Sequence, residues 1–432
     1  MKRSNVYILV LIAGMGITFP CCDTSRNVPN PEKSYFLKFY GGSGAQTGVD
    51  VALNPDGTFI LLGTTQQTSS SNILFFLVKA DAYGNVIWER TFGGSPLTQA
   101  KDVELTSDGG IVVVGDIADP NPIGVTQDHN IFIKTLTTDG IGIDSMNYPL
   151  LTLPDSTSGD EYVNSVTQTS DGGFIVAGYS GNVVKGTTNL QDAIFVRFTN
   201  NPLAIYTNTW TQAQGTGYDN ITFATKVIQV SDSLFDCFGY SNAIISGTTG
   251  TNFNYWMVTI NSGGGGGIVT IPLQPETSSK NTRLGSVAQS GSTFFLGGVT
   301  SSNTSDLNLD IVTQNATDGS LSTNMPEDLL FTDLKTAGQS QTSLAVSGSS
   351  IYFLANEATT GNSNILLTKL NTGGSLVWGS PVIYGGAGDD YIGAVNVLPN
   401  GRVIIVGTMA TGTNDEPKMV LMKVNENGQF AN

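Results

Sequence analysis

The chain has little of what most enzymatic sites are built from. One histidine, His129, serves all 432 residues. That excludes metal centres made from several imidazoles and mechanisms that pass protons between two of them. There are three cysteines, Cys21, Cys22 and Cys237. Only the last falls in the folded part, so no disulfide framework and no paired-thiol metal site is expected. Charged residues make up 12%, against roughly 25% in an average soluble domain. Basic residues are scarcer than acidic ones, and the net charge is −16. Such a chain repels nucleic-acid phosphates and anionic lipid headgroups. No stretch patterns as a long helix, and no apolar run reaches the ~20 residues that span a bilayer. No metal, cofactor or catalytic residue is expected.

What is present begins with an export signal. Lys2 and Arg3 precede an apolar run, Val6 to Phe19, of 14 residues. That length suits a secretory leader. It leads into Cys21 and Cys22 and then a polar stretch from Asp23 to Ser34. This order resembles a bacterial lipoprotein leader, in which a cysteine thiol is lipidated and the polar stretch acts as a tether. Cys22 is preferred over Cys21, since Phe19 then takes the large apolar position three residues before it. Pro20 and Cys21 stand where a small residue is expected. An ordinary secretory leader with incidental cysteines is therefore the alternative. Residues 1–22 read as leader, 23–34 as tether and 35–432 as the folded domain.

A repeat governs that domain. Asp56-Gly57-Thr-Phe-Ile-Leu-Leu-Gly63 matches Asp108 to Gly115, Asp171 to Gly178 and Asn400 to Gly407. Weaker copies centre on Phe235 to Gly239, Phe294 to Gly298 and Ile351 to Ala355, which makes seven. Each is preceded by an alternating strand such as Val163 to Gln168. Each is followed by an apolar strand, as in Ile73 to Lys79 or Met419 to Val424. A second glycine turn and a fourth strand such as Val86-Ile-Trp88 or Leu376-Val-Trp378 close the unit. Asp-Gly and Asn-Gly between apolar runs are strong hairpin signals. The second strands, for example Ile111 to Val114, are apolar without alternation and must be covered on both faces. Four antiparallel strands, seven times over, predict an all-β, seven-bladed β-propeller. The last repeat lacks its fourth strand, and Tyr35 to Tyr40 has the form of an orphan one. An N-terminal strand closing the last blade balances the count and removes two open edges.

The repeat, roughly Asp-Gly-Gly-Phe-Ile-Val-x-Gly followed by Phe-Val-Lys and Gly-x-Val-x-Trp, resembles the SBBP-type β-propeller repeat. That repeat occurs in secreted and surface lipoproteins of the Bacteroidota. The resemblance spans residues 35–430 and implies a propeller at the cell surface, here of the outer membrane. It brings no catalytic residues.

The short turns share one face of the disc and the long connections the other, so a ligand is expected on the long-loop face. There Asp160-Glu161-Tyr162, Tyr218-Asp219-Asn220 and Asp389-Asp390-Tyr391 recur at the blade crossings. Carboxylates beside an aromatic suit Ca²⁺ or a sugar, but their recurrence suggests that each caps N–H groups of its own loop. Asp128 and His129 lie in the loop spanning Asp116 to His129. Candidate contact residues are thus Tyr162, Tyr218, Tyr391, Asp160, Asp389, Asp390, Asp128 and His129. Trp88, Trp210 and Trp378 are expected between blades, and Cys237 as a small buried hydrophobe. Because no carboxylate stands out from the repeat, the expected function is non-catalytic. It is that of a monomeric surface lipoprotein offering loops to a protein or glycan. Nucleic acid is excluded, and the membrane is touched through a lipid anchor alone. The alternatives are a polysaccharide hydrolase or lyase with carboxylates in the propeller funnel, and a structural part of a surface assembly.

Overall fold

A computed structural model describes residues 35–118, 129–148, 160–185, 188–200, 203–205, 212–214, 222–242, 253–262, 271–272, 281–301, 305–314, 321–322, 329–335, 341–358, 362–410 and 415–431. The two leader cysteines, Asp128, Trp210 and Tyr218 lie outside them. The described residues form strands and turns, arranged as seven antiparallel sheets of a β-propeller.

Blade 1 comprises Ala45–Leu53, Phe59–Gln66, Ile73–Ala80 and Val86–Ser95. Blade 2 comprises Gln99–Leu105, Ile111–Ala118, His129–Leu136 and Gly142–Tyr148. The innermost strands of blades 3 to 7 are Glu161–Gln168, Thr222–Ser231, Asn281–Ser290, Thr342–Ser347 and Tyr391–Val397. Blade 7 continues through Val403–Met409 and Lys418–Val424. Its outer strand is Phe36–Tyr40, which pairs antiparallel from Phe36 with Lys423 to Tyr40 with Met419. The chain's first strand thus completes its last sheet.

One of the long connections is shorter than its polar sequence predicts: across Tyr179 to Gln191 the strands Phe174–Lys185 and Thr188–Thr199 pair almost throughout. Thr300 to Leu309 is likewise largely strand. In both, the ladder runs on past the apolar stretch that marks the strands in the sequence.

The core lies between blades. Each of seven buried clusters draws side chains from two neighbouring sheets, so seven seams close the ring among the described residues. At the last seam Phe59, Leu61 and Val78 of blade 1 meet Val406, Met419 and Leu421 of blade 7, with Phe36 and Tyr40. Cys237 is a buried hydrophobe at the seam of blades 3 and 4. Trp88 and Trp378 pack at seams too, beneath the turns at Gly140 and Gly428 of the following blades. Phe36 sits in the same way beneath Gly84.

The repeat's lysine has a structural role. Lys79, Lys369, Lys423 and Arg197 each donate to a backbone carbonyl in the third-to-fourth turn of the next blade. The acceptors are Thr138 (3.4 Å), Glu426 (3.3 Å), Ala82 (2.7 Å) and Ser262 (3.2 Å). Lys79, Lys423 and Arg197 are buried; carbonyl dipoles at the seam hold the two lysine charges, and Arg197 pairs in addition with the Asp171 carboxylate.

The repeat's terminal glycine is explained by a bulge. In blades 1 to 5 and 7 the inner ladder shifts register at one equivalent point, as between Gly48 and Asp50 or Ala100 and Asp102. Opposite each shift stands Gly63, Gly115, Gly178, Gly239, Gly298 or Gly407. A methyl group there would lie under 3.0 Å from an inner-strand carbonyl oxygen. Blade 6 has no such shift among its described residues, and it carries Ala355 at that place. The bulge and the glycine go together.

Removing residues 35–42 should therefore do more than shorten a terminus. It exposes the Lys418–Val424 edge and strips Phe36 and Tyr40 from a core, a loss of about 3 kcal/mol or more from burial alone. Thermal unfolding of the truncated protein is expected well below the full-length value. Equal midpoints would contradict the closure.

Candidate functional site

The bulges aim polar side chains across the seams. The residues that follow them form a ring around the axis: Asp50, Asp102, Ser165, Lys226 and Ser286, with Ser343 and Ala394 at the same level in blades 6 and 7. Four of them accept a backbone N–H of the next inner strand. Val103 donates to Asp50 Oδ2 (2.9 Å) and Val166 to Asp102 Oδ2 (2.9 Å). Val227 donates to Ser165 Oγ (3.3 Å) and Val395 to Ser343 Oγ (3.0 Å). Lys226 and Ala394 have no acceptor and interrupt the series. A second tier lies nearer the long-loop face. Asp116 Oδ1 accepts Val163 N–H (2.8 Å), Asn356 Oδ1 accepts Ile392 N–H (3.3 Å), and Thr408 Oγ1 accepts Gly48 N–H (3.0 Å).

These inner strands enclose a channel of about 770 Å³, within the size range of small-ligand pockets. Its wall mixes hydroxyl and amide side chains with aliphatic ones and glycines, and Tyr240 and Tyr391 are among the lining residues. On one side the ring's symmetry breaks. Lys226 reaches from blade 4 past blade 3 to Asp102 (3.1 Å) and Glu104 (3.5 Å) of blade 2. Asp50 shares a hydrogen bond with Asp102. Burial and the adjacent Asp102 carboxyl push Asp50 well above the usual carboxylate range. Burial raises Glu104 as well, against the pull of Lys226. Burial works against the Lys226 charge, but Asp102 and Glu104 outweigh it and hold the ammonium protonated. The expectation that no carboxylate stands apart from the repeat is thus corrected: Asp50 and Asp102 occupy a position where other blades carry Ser, Ala or Lys, and Glu104 lies two residues on, where they carry Ala, Thr, Ile or Asn. The signal was present in Val-Asp50-Val, Lys-Asp102-Val, Asn-Ser165-Val and Thr-Lys226-Val, one repeat position with four different chemistries.

The residues expected on the long-loop face divide between two seams. Asp160 Oδ1 accepts His129 N–H (3.0 Å), and the rings of His129 and Tyr162 lie 4.7 Å apart. From Tyr162 a stack continues through Tyr179 (4.8 Å), Phe223 (4.7 Å) and Tyr240 (4.7 Å), joining the seam to the channel wall. Burial holds the His129 imidazole below its ordinary pKa, with Asp160 opposing. At the seam of blades 6 and 7, Asp389 Oδ1 accepts Ser363 N–H (2.9 Å). Asp390 is buried and accepts Ala410 N–H (3.0 Å) and Gly386 N–H (2.9 Å). The capping expectation is corrected in part: Asp390 holds its own loop, but Asp160 and Asp389 hold the first N–H of the preceding blade's third strand. Tyr391 is exposed and has no ring neighbour among the described residues. The two groups do not form one site.

Among the described residues no three His, Cys, Asp or Glu side chains are placed to hold a metal ion. The Asp-Gly turns are likewise committed, as where Asp56 Oδ1 accepts Thr58 N–H at 2.9 Å.

Asp116 ties this tier to pH. Burial raises its carboxyl to about 6, against the pull of Lys101 3.4 Å away. A raised carboxyl favours the protonated folded state. Its contribution is complete below the unfolded value of 3.8 and is lost as pH rises through about 6. Asp116→Asn keeps the acceptor for Val163, as Asn356 already does for Ile392. Denaturant titrations should show the wild type losing stability between about pH 4 and 6. The variant's loss should be smaller by up to about 3 kcal/mol. Identical pH profiles would contradict the burial of that proton.

No protein-family model and no curated protein matches the chain in sequence. Solved structures resemble it in fold. A polysaccharide lyase of family 25, an ulvan lyase bound to -[GlcA(1-4)Rha3S]-, superposes with a TM-score of 0.51 at 11% identity, covering 91% of this chain and 96% of its own. Extracellular domains 1–2 of Drosophila Semaphorin 1a give 0.50 at 10% identity, over 91% and 88%. The β-propeller domain of the Trilobed protease from Pyrococcus furiosus gives 0.45 at 10% identity, over 88% and 95%. At such identities the likeness shows the β-propeller fold and nothing of the chemistry.

Proposed function

We propose that this chain is an exported, lipid-anchored surface protein of the SBBP-repeat type, and a non-catalytic, monomeric platform that receives a protein or glycan on its long-loop face. One observation carries the reading. The carboxylates that could perform chemistry already accept backbone N–H groups: Asp50 from Val103, Asp102 from Val166, Asp160 from His129, Asp389 from Ser363, and Asp390 from Ala410 and Gly386. Groups so committed lock loops and seams, and a rigid scaffold that positions loops is what a recognition surface needs. Tyr391 supplies an exposed aromatic at the edge of the channel, the residue type that anchors interfaces.

The alternative is a polysaccharide hydrolase or lyase, favoured by the Asp50–Asp102 pair in the channel. Two carboxyls sharing one hydrogen bond are closer than the ~5 Å that glycoside hydrolysis needs between its acid and its nucleophile. That separation argues against a hydrolase at this pair. Purified protein incubated with polysaccharides should release no products. Release that disappears in Asp50→Asn or Asp389→Asn would replace the platform with the enzyme.

Binding is tested on glycan arrays and by capture from the native envelope. Tyr391→Ala should weaken retention about tenfold without changing the melting temperature, since no ring packs on it among the described residues. Retention unaffected by Tyr391→Ala would place the partner elsewhere. Anchoring is tested by fractionation. Cys21→Ser with Cys22→Ser should move the protein from the membrane to the soluble fraction, and equal partitioning of the two would remove the anchor.

A further inference from the structure

Exposed apolar side chains recur on the short-turn face. Val86 and Ile87 in blade 1, Ile141 and Ile143 in blade 2, and Leu376 and Val377 in blade 6 are between 49% and 62% exposed. Phe430, after the corresponding turn of blade 7, is 44% exposed. Pairing fixes their height in the disc. Val86 pairs with Ala80, Gly142 with Leu136 and Leu376 with Leu370, all at the ends of third strands. The fourth strand is bulged here in blades 1 and 2: Ile87 and Ile143 are the extra residues of register shifts opposite Lys79–Ala80 and Thr135–Leu136. A bulge at a strand end breaks the alternation and leaves neighbouring apolar side chains half-exposed together. Blades 6, 7, 1 and 2 follow one another around the ring, sharing seams. The side chains therefore form one arc, and an arc of this kind marks a surface that something covers.

The course of the chain indicates what covers it. The propeller's first strand begins on this same face, with Phe36 opposite Lys423 and beneath the turn at Gly84. Residues 1–34, with the apolar run Val6 to Phe19, are joined to the propeller there. Charges near the arc are of both signs: Lys38 bonds Asn85, and Arg90 stands beside Glu89 and bonds the Asp139 carbonyl. An anionic lipid surface would gain nothing from such a rim and would be repelled by a net charge of −16. An uncharged or zwitterionic one would accept the aliphatic side chains at headgroup depth.

We propose that the short-turn face rests on a zwitterionic bilayer surface, with the arc from Val86 to Phe430 immersed in the headgroup region and the long-loop face turned away. This goes beyond contact through a lipid anchor alone, and it rests on the export and anchoring reading above. The test is arranged to separate the two. Ser34–Asn432 forms a compact unit by itself and can be assayed without the leader. It is floated with vesicles of phosphatidylcholine and phosphatidylethanolamine. A measurable fraction should float and should persist when salt is raised from about 0.1 to about 0.5 M, where surface charge interactions are largely screened. The triple variant Ile87→Asn, Ile141→Asn, Leu376→Asn should float at least about tenfold less while melting at the wild-type temperature. Flotation with the anchor disproved by fractionation leaves the docking face standing. No flotation, equal flotation of the variant, or flotation only with anionic lipid at low salt overturns it. So does a wild type that is dimeric in solution where the variant is monomeric, since the arc would then join two copies of the chain.

Discussion

The propeller depends on a bulge in its inner strands, tolerated because a glycine faces it. A carbonyl of the bulged strand occupies the space a Cβ would fill at Gly63, Gly115, Gly178, Gly239, Gly298 and Gly407. In the bulged blades the side chain after the bulge reaches the next blade, where Asp50, Asp102 and Ser165 receive an N–H, as Ser343 of the unbulged blade 6 also does. Among the described residues, neighbouring sheets share no continuous ladder. Such side-chain-to-backbone bonds, with the apolar seams and the cations beneath them, therefore join one blade to the next. A hydrogen bond to a charged acceptor is worth about 1.5–3 kcal/mol, and an uncapped buried N–H costs a similar amount. The seams are correspondingly sensitive to single substitutions on the inner ring.

The same constraint bears on function. A carboxylate recruited to hold a strand is a poor candidate for proton transfer, and the inner and loop-face carboxylates are recruited in this way. On the proposed binding reading, the outer face of the loops, the tyrosines at the channel and the exposed rim are left for recognition. Asp50 and Asp102 are the place where structural and chemical uses come closest. The two share a hydrogen bond, and both also hold backbone.

Much of the fold was legible in the sequence. Asp56-Gly57 and its copies mark the first hairpins, the unalternating second strands imply cover on both faces, and Tyr35 to Tyr40 fits the missing outer strand. The hairpin of Phe174–Lys185 and Thr188–Thr199 was hidden because Ser, Gly, Asn and Thr within it read as loop. The channel cluster was harder to see. Asp50, Asp102 and Lys226 lie far apart in sequence, and each is an ordinary polar residue in its own repeat. Their meeting follows from ring geometry, which places every post-bulge residue at one level. Asp160 and Asp389 were rightly read as caps, but their partners, His129 and Ser363, belong to the preceding blade, and that seam geometry is not written in the loop's own residues.

Amide hydrogen exchange at Val103, Val166, Val227 and Val395 tests the seam account most directly. These N–H groups are held by side chains of the preceding blade. They should exchange as slowly as the ladder amides of the second strands, and protection at Val166 should fall in Asp102→Ala, which removes its acceptor. Fast exchange at these four positions in the wild type would show that the blades are not joined through the inner ring.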